Sequence, residues 1–198
     1  MIGIIDYGAG NLRSVANALG HVGVRFRECK VPEDLHAVAK VVLPGVGHFG
    51  SAARGLSEVG MMEALRVWGA AGKPMLGICL GLQLFFEASA EAPDVRGLGL
   101  LPGRVVRLQA ERVPHMGWNE VVAEGRCPLV ETGPCGHFYF AHAFVAEPGD
   151  PRDLVASTGV GGASVPAIVG RDSVWGVQFH PEKSGPAGLD LLSRFAAC

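Results

Sequence analysis

A short glycine-flanked stretch, residues 75–83 (Met-Leu-Gly-Ile-Cys-Leu-Gly-Leu-Gln), constrains the fold of this 198-residue chain more than any other. Apolar residues lead into Cys79, as in a buried strand of a parallel sheet. Residues 82–88 contain neither Gly nor Pro and predict a helix after the turn. Gly77 and Gly81 flank the cysteine, where the chain must reverse sharply and pass close to other backbone. The pattern therefore predicts a strand, a tight turn and a helix, which is the layout of a nucleophile elbow.

The predicted position of Cys79 favours a reactive thiol. The turn would set the sulfur at a helix N-terminus, where unpaired backbone N–H groups and the helix dipole stabilise a thiolate. The same pattern also fits a small buried cysteine at a strand end. A nucleophilic role therefore needs a base nearby.

Of the seven histidines, His180 has the surroundings expected of that base. Residues 173–179 predict a strand with β-branched and aromatic side chains, and His180 follows it directly. Pro181 favours an extended conformation at His180, and Glu182 could bend back to hold the imidazole N–H. A solvated surface pair is the alternative for this His-x-Glu taken alone. Together with Cys79, the pair predicts a nucleophile, a base and a carboxylate that sets the tautomer.

The first half of the chain alternates predicted strands with predicted helices. The strands are expected at residues 2–6, 24–29, 40–43 and 75–79, and the helical segments at residues 12–19, 32–38 and about 51–68, with a break at Gly60. This alternation predicts an α/β fold with a mostly parallel sheet covered on both faces.

The second half of the chain is predicted to be largely extended. Its candidate strands are residues 104–108, 118–122, 138–144, 154–157 and 165–169, and a final helix is expected at about residues 186–195. These strands predict antiparallel additions to the sheet. Because no repeat, low-complexity tract or linker divides the sequence, we expect residues 1–198 to form a single domain.

Composition argues against several classes of protein. The net charge is −2 with no basic tract, which argues against nucleic acid or an anionic membrane surface as a partner. No run of 18 uncharged apolar residues is present, so we expect no membrane span. Residues 1–6 lack a basic region and predict a first strand instead of a signal peptide. The five scattered cysteines suit a reducing compartment, so we expect the protein to be cytoplasmic.

Two patterns could suggest a cofactor or a metal, and both fail on spacing. Gly8-Ala9-Gly10 follows the first predicted strand, but Arg13 occupies the position of the third glycine of a dinucleotide loop, so a tight turn is predicted. Cys127, Cys135 and His137 contain no C-x-x-C pair. We therefore expect no cofactor and no metal.

Residues 44–47 (Pro-Gly-Val-Gly) end a predicted strand, and ligands bind open α/β sheets at the carboxyl ends of strands. Their backbone N–H groups could face the same space as the N–H of Leu80. Two such donors would make an oxyanion hole, each worth about 3 kcal/mol of transition-state stabilisation. An ordinary surface loop is the alternative.

These motifs together resemble those of the class I (triad-type) glutamine amidotransferases. The resemblance rests on residues 77–83 (Gly-Ile-Cys-Leu-Gly-Leu-Gln) and 176–182 (Gly-Val-Gln-Phe-His-Pro-Glu), and it extends from Ile2 to the final helix. Residues 5–12, 43–47, 114–119 and 182–184 resemble the branch of this family that works in histidine biosynthesis. The resemblance implies a flavodoxin-like three-layer α/β sandwich, in agreement with the predicted alternation.

The resemblance also implies an activity and a set of site residues. Glutamine would be hydrolysed to glutamate and ammonia through a thioester on Cys79, with His180 as base and then acid, oriented by Glu182. Val46 and Leu80 match the oxyanion-hole positions. The positions that match substrate contacts are Gly45, Gln83, Ala143 and Phe144. The last two lack the hydroxyls usual in the family, so side-chain hydrogen bonds to glutamine are not expected there, although backbone groups could still bind it.

A partner subunit is the last implication. An α/β domain of 198 residues built around a glutaminase site leaves no room for a synthase, and ammonia released into water would be protonated. The resemblance implies a heterodimer with a cyclase subunit that folds as a (β/α)8 barrel. The positions that match the partner surface are Asn11, Trp118, Tyr139 and Lys183. For Trp118 and Tyr139, core packing is the alternative.

Other functions stay open on the sequence. The same triad would serve the glutaminase subunit of another ammonia-using synthase, a cysteine peptidase or a stand-alone amide hydrolase. Alternatively, the domain could be a binding or assembly subunit whose cysteine is only structural.

Overall fold

The structure is a computed structural model that describes residues 1–8 and 11–198. Its helices are α1 (Leu12–His21), α2 (Phe49–Glu58), α3 (Met61–Ala70), α4 (Leu80–Gln83) and α5 (Gly185–Ala197). Its strands are β1 (Ile2–Ile5), β2 (Phe26–Cys29), β3 (Lys40–Gly45), β4 (Met75–Cys79), β5 (Ala88–Ser89), β6 (Gly103–Arg107), β7 (His115–Ala123), β8 (Gly133–His142), β9 (Phe144–Pro148), β10 (Leu154–Val160), β11 (Ala163–Arg171) and β12 (Val174–Val177). The turn predicted after the first strand includes Ala9 and Gly10, which lie outside the described residues.

The main sheet has the order β2-β1-β3-β4-β12-β11-β10-β7-β8. Neighbours from β2 to β12 run parallel, in the 2-1-3-4-5 order of flavodoxin-like sheets. Neighbours from β12 to β8 run antiparallel. The predicted parallel sheet with antiparallel additions is therefore confirmed.

Helices cover both faces of the parallel half. The α2–α3 pair packs on one face, where Leu56, Leu65 and Trp68 join one apolar core. On the other face, α1 and α5 contribute to a second core through side chains such as Leu19 and Phe195. These layers form the predicted three-layer sandwich. Within the described residues, no helix is long and apolar enough to cross a membrane.

The helix predicted for residues 82–88 is wrong, because α4 ends at Gln83. Residues 97–101 return beside it, and their N–H groups bind the carbonyls that a longer helix would use. Gly97 N donates to Glu87 O at 2.9 Å, and Leu98 N donates to Leu84 O at 2.7 Å. Tertiary hydrogen bonds thus replace helical ones. Since α4 is a single turn, its dipole is smaller than the sequence led us to expect.

The segment predicted as one strand over residues 138–144 divides between two sheets. Strand β8 ends at His142 and pairs with β7, whereas β9 begins at Phe144 and pairs with β6 in a second sheet of order β5-β6-β9. The chain therefore changes sheets at Ala143. This switch lies beside the carboxyl ends of β3, β4 and β12, where a site is expected in an open α/β sheet.

Candidate active site

Cys79 occupies a strained turn between β4 and α4. Its backbone has φ 53° and ψ −105°, a conformation rare for a residue with a Cβ. Close approach explains the flanking glycines: a Cβ on Gly77 would lie 2.6 Å from the N of Leu82, and one on Gly81 would overlap the carbonyl oxygen of Leu43. The predicted elbow is present, and its unusual backbone conformation falls on Cys79, not on the flanking glycines.

His180 and Glu182 lie in the segment that follows β12, which ends at Val177 and is the parallel neighbour of β4. His180 Nδ1 lies 2.9 Å from Glu182 Oε1, and both side chains are almost fully buried. Because the carboxylate accepts from Nδ1, Nε2 is left for the thiol of Cys79. Asn11 Nδ2 also donates to Glu182 Oε1, at 3.3 Å. The backbone of His180 is fixed by a 2.8 Å hydrogen bond from its N to Tyr139 O.

The electrostatics of His180 suit a base. Burial alone would lower the pKa of His180, but hydrogen bonds to Cys79 and Glu182, together with attraction to both groups, raise that pKa to about 9. The imidazole therefore binds a proton firmly beside the sulfur. The structure brings together the three side chains that the sequence predicted as nucleophile, base and orienting carboxylate.

A cleft of about 240 Å³ opens at the sulfur. Several of the predicted positions line it, namely Val46, Cys79, Leu80, Gln83, Ala143 and Phe144. Val46 lies at its exposed rim, whereas Leu80 is buried at the start of α4. The loop after β3 and the turn after β4 thus face one space, as the oxyanion-hole prediction requires.

Gly45 contributes through its lack of a side chain. It pairs with Cys79 in the β3–β4 register. A Cβ on Gly45 would lie 2.8 Å from the Cβ of Leu80 and 2.9 Å from the hydroxyl of Tyr7. That hydroxyl donates to Pro44 O at 3.1 Å and so holds the end of β3, where the loop begins. Any other residue at position 45 would push this loop away from Cys79.

Two glutamines form a hydrogen-bonded chain from the backbone carbonyl of Phe144 to the sulfur of Cys79. Gln83 Nε2 donates to Phe144 O at 3.0 Å and to Gln178 Oε1 at 3.3 Å. Gln178 Nε2 lies 3.6 Å from Cys79 Sγ. Gln178 was not predicted from the sequence, although a signal existed: it lies two residues before His180, and alternate residues of an extended segment share a side.

A pair of histidines, also missed from the sequence, supports the Phe144 carbonyl. His142 Nδ1 lies 3.1 Å from Phe144 O, and His142 Nε2 lies 3.0 Å from His115 Nδ1. Since a carbonyl only accepts, the network assigns the Nδ1–H tautomer to His142 and a donating Nδ1 to His115. Burial, together with the neighbouring His115, lowers the pKa of His142 to about 4, and burial also lowers the pKa of His115. Both rings are therefore neutral at neutral pH.

Glu91 brings a carboxylate to the cleft and was also missed from the sequence. It lines the cleft, and its Oε2 accepts a 2.7 Å hydrogen bond from the N of Phe49, the first residue of α2. It follows the short strand β5 in a region without any motif. No local pattern could have found it, because only the tertiary fold brings it near Cys79.

The predicted partner-facing residues divide into two groups. Trp118 is 56% exposed and contacts Tyr139 edge-to-face with ring centroids 6.2 Å apart, so the core alternative is wrong for Trp118. Lys183 Nζ lies 5.7 Å from the Tyr139 ring centroid on the same surface. Met116, 65% exposed, shares this side of β7. Asn11 instead directs its amide to Glu182.

In the described part of the chain, no three His, Cys, Asp or Glu side chains are grouped so as to hold a metal ion. Cys135 Sγ instead lies 3.3 Å from the carbonyl oxygen of Gly133 and 3.5 Å from that of Glu131. The thiol therefore interacts with local backbone.

Known structures and sequences resemble this chain over its whole length. A structure described as "Crystal structure of glutamine amidotransferase" superposes with a TM-score of 0.80 at 22% identity, covering 100% of this chain and 99% of that one. PurLQS from Thermotoga maritima gives a TM-score of 0.79 at 21% identity, covering 98% and 96%. At these identities the likeness concerns the fold.

Sequence relatives are closer. Imidazole glycerol phosphate synthase subunit HisH from Desulfitobacterium hafniense (strain DSM 10664 / DCB-2) is 49% identical over 98% of this chain and 93% of its own length. The subunit of the same name from Methanothermobacter thermautotrophicus is 46% identical over 98% and 97%. The family profile "Glutamine amidotransferase class-I" matches residues 3–197. The chain therefore belongs to the class I glutamine amidotransferase family and, within it, to the HisH group of glutaminase subunits.

Proposed function

We propose that this chain hydrolyses glutamine through a thioester on Cys79 and passes the ammonia to a cyclase subunit of imidazole glycerol phosphate synthase. One observation carries the proposal: the strained Cys79 lies at the floor of a cleft next to His180, which Glu182 holds at 2.9 Å. The HisH relatives support glutamine as the amide that enters this cleft. The proposed chemistry is acyl transfer by an activated thiol.

The reaction follows from the positions of these groups. His180, whose pKa is raised to about 9, holds the proton taken from the thiol, and the Cys79 sulfur attacks the side-chain carbonyl carbon of glutamine. Backbone N–H groups of Val46 and Leu80 bind the resulting oxyanion. His180 then gives its proton to the leaving nitrogen, and ammonia departs as the thioester forms. Water, deprotonated by His180, attacks the thioester and releases glutamate together with the free thiol.

Recognition of the amino-acid end of glutamine falls to acceptors in the cleft. Both amide hydrogens of Gln83 are already engaged, by Phe144 O and Gln178 Oε1, so its oxygen is the atom left to bind substrate. The Glu91 carboxylate lines the same cleft. Two acceptors suit the α-ammonium group of glutamine. Phe144 O already accepts two hydrogen bonds, so it is not proposed to bind substrate. The backbone groups proposed to bind substrate at Ala143 and Phe144 are instead their N–H donors.

The partner surface proposed is a cluster beside the triad in which Tyr139 is half-buried and the other side chains are exposed. It comprises Met116, Trp118, Tyr139 and Lys183, and the Tyr139 ring lies 6.5 Å from that of His180. Exposed Trp and Met are typical of an interface core, and a lysine beside them suits its polar rim. The occupant proposed is a (β/α)8-barrel cyclase in a cytoplasmic heterodimer, with Asn11 joining this edge to Glu182. Ammonia would then pass between subunits without meeting bulk water.

Substitution of the nucleophile tests the proposal. Cys79→Ala should abolish glutamate formation while the purified chain still binds the cyclase subunit. Cys127→Ala, a half-buried thiol away from the cleft, is the matched control and should hydrolyse glutamine at the wild-type rate. Glutamine hydrolysis by the wild type should rise when the cyclase and its nucleotide ligand are added. Unchanged turnover in Cys79→Ala, or peptide cleavage that ignores the cyclase, would contradict the proposal.

A further inference from the structure

Gln178 is a fully buried polar side chain whose amide lies against the sulfur of Cys79, with Nε2 3.6 Å from Sγ. We propose that Gln178 is a further catalytic residue: its amide N–H donates a hydrogen bond to the Cys79 sulfur and stabilises the thiolate, while Gln83 holds that amide in the donating orientation. The inference rests on the proposed function, since it concerns the same nucleophile. It assigns a role to a residue outside the triad and the oxyanion hole.

The orientation of both amides follows from one backbone carbonyl. Phe144 O can only accept, so the Gln83 atom 3.0 Å away must be its NH2 group. The same NH2 group faces Gln178 at 3.3 Å, so the Gln178 atom there must be the carbonyl oxygen. The NH2 group of Gln178 is therefore turned to the sulfur. Neither amide can flip without facing two donors, or two acceptors, towards each other.

The hydrogen bond acts on the charge state of the sulfur. A neutral thiol is a weak acceptor, whereas a thiolate accepts strongly, and hydrogen bonds to a charged acceptor are about twice as strong as neutral ones. A donor that faces the sulfur therefore stabilises the charged form more than the neutral form. His180 and Gln178 would thus act together on the sulfur. The hydrogen bond from Gln178 matters more because α4 is a single turn, whose small dipole stabilises a thiolate only weakly.

A merely structural role for the Gln178 side chain predicts a different result. The backbone of Gln178 is held separately, by a 2.9 Å hydrogen bond from its N to Ala167 O, so side-chain replacement leaves this link intact. Under that role, loss of the buried polar side chain would lower stability but leave the charge state of the Cys79 thiol unchanged. The pH dependence of Cys79 reactivity separates the two roles.

The test measures alkylation of Cys79 by iodoacetamide as a function of pH, with the Cys79 peptide quantified by mass spectrometry. In Gln178→Met, the pH at which the rate reaches half its maximum should rise by about 1 unit, and the rate at neutral pH should fall about tenfold. Gln83→Met should shift the profile in the same direction by less, because Gln178 keeps its donor but loses its support. Iodoacetamide needs no recognition of an amino-acid group, so substrate binding does not enter.

Thr158→Val is the matched control. Thr158 is buried and donates to Glu120 O at 2.7 Å, in the antiparallel half of the sheet. This variant should lose stability without any change in the alkylation profile. A wild-type profile in Gln178→Met would overturn the inference; if that variant does not fold, a wild-type profile in Gln83→Met would do so. Failure of the proposed function would appear separately, as glutamine hydrolysis that persists in Cys79→Ala.

Discussion

The end of β12 and the β7–β8 hairpin each contribute a buried histidine to the site, and the two differ in charge. His180 is 2% exposed and His142 is 6% exposed, yet the pKa of His180 is raised to about 9 and that of His142 is lowered to about 4. Burial acts in the same direction on both. The partners differ: His180 contacts a carboxylate and a thiol, whereas His142 contacts a carbonyl and another imidazole. Partner chemistry therefore decides which ring is charged.

The two environments suit different tasks. A histidine with a raised pKa next to a thiol can take and return a proton during acyl transfer. A histidine that burial and a second imidazole hold neutral supplies fixed hydrogen bonds. In this structure the neutral ring supports Phe144 O, the carbonyl from which the orientation of Gln83 and Gln178 follows. His142 of the hairpin thus positions other side chains, whereas His180 after β12 takes part in the reaction.

The largest difference between the two regions should appear in turnover. His180→Asn should lower kcat for glutamine hydrolysis by about 10⁴-fold or more, because the thiol loses its base. His142→Asn should mainly raise KM, by less than about tenfold, because Phe144 O loses one of two donors. Steady-state kinetics with the cyclase present would measure both. Equal losses of kcat would break the division between reacting and positioning histidines.

A smaller effect is expected from the carboxylate partner of His180. Glu182→Gln should lower the pKa of His180, since Glu182 raises it through a hydrogen bond and its charge. The kcat of the Glu182→Gln variant should fall by roughly 10²–10⁴-fold, less than that of Cys79→Ala, because Glu182 orients the imidazole and does not react. Nitrogen NMR of the imidazole in both proteins would follow its titration. An unshifted titration would show that the charge of His180 has another origin.

The smallest effect is a pH dependence of stability with a maximum near pH 6.5. The folded pKa of His180 lies above the unfolded value of 6.5, so its contribution is complete below pH 6.5 and is lost as pH rises towards 9. His142 behaves oppositely: its folded pKa is about 4, so unfolding becomes easier as pH falls from 6.5 towards 4. Each histidine can contribute a slope of up to about 1.4 kcal/mol per pH unit.

Denaturant unfolding across this pH range would measure these slopes. Relative to wild type, His180→Asn should flatten the alkaline side, and His142→Asn should flatten the acid side. If either variant flattened the opposite side, the assigned protonation states would be reversed.

Local sequence patterns predicted the reacting region and missed the positioning region. The elbow glycines around Cys79 and the strand that precedes His180 are short-range signals, and they led to the triad. The contacts of Gln178, Glu91 and the His115–His142 pair depend on which strands become neighbours, and no local spacing reports that. The predicted length of α4 was wrong for the same reason, since residues 97–101 supply hydrogen bonds that compete with those of a longer helix.

Covalent trapping tests the central claim most directly. A glutamine analogue with an electrophilic carbon in place of the amide should modify one thiol per chain, and peptide mapping should find the label on Cys79. Modification should slow strongly in His180→Asn, because the thiol loses the base that ionises it. Label on Cys127 or Cys135, or labelling of Cys79 that does not depend on His180, would contradict the account.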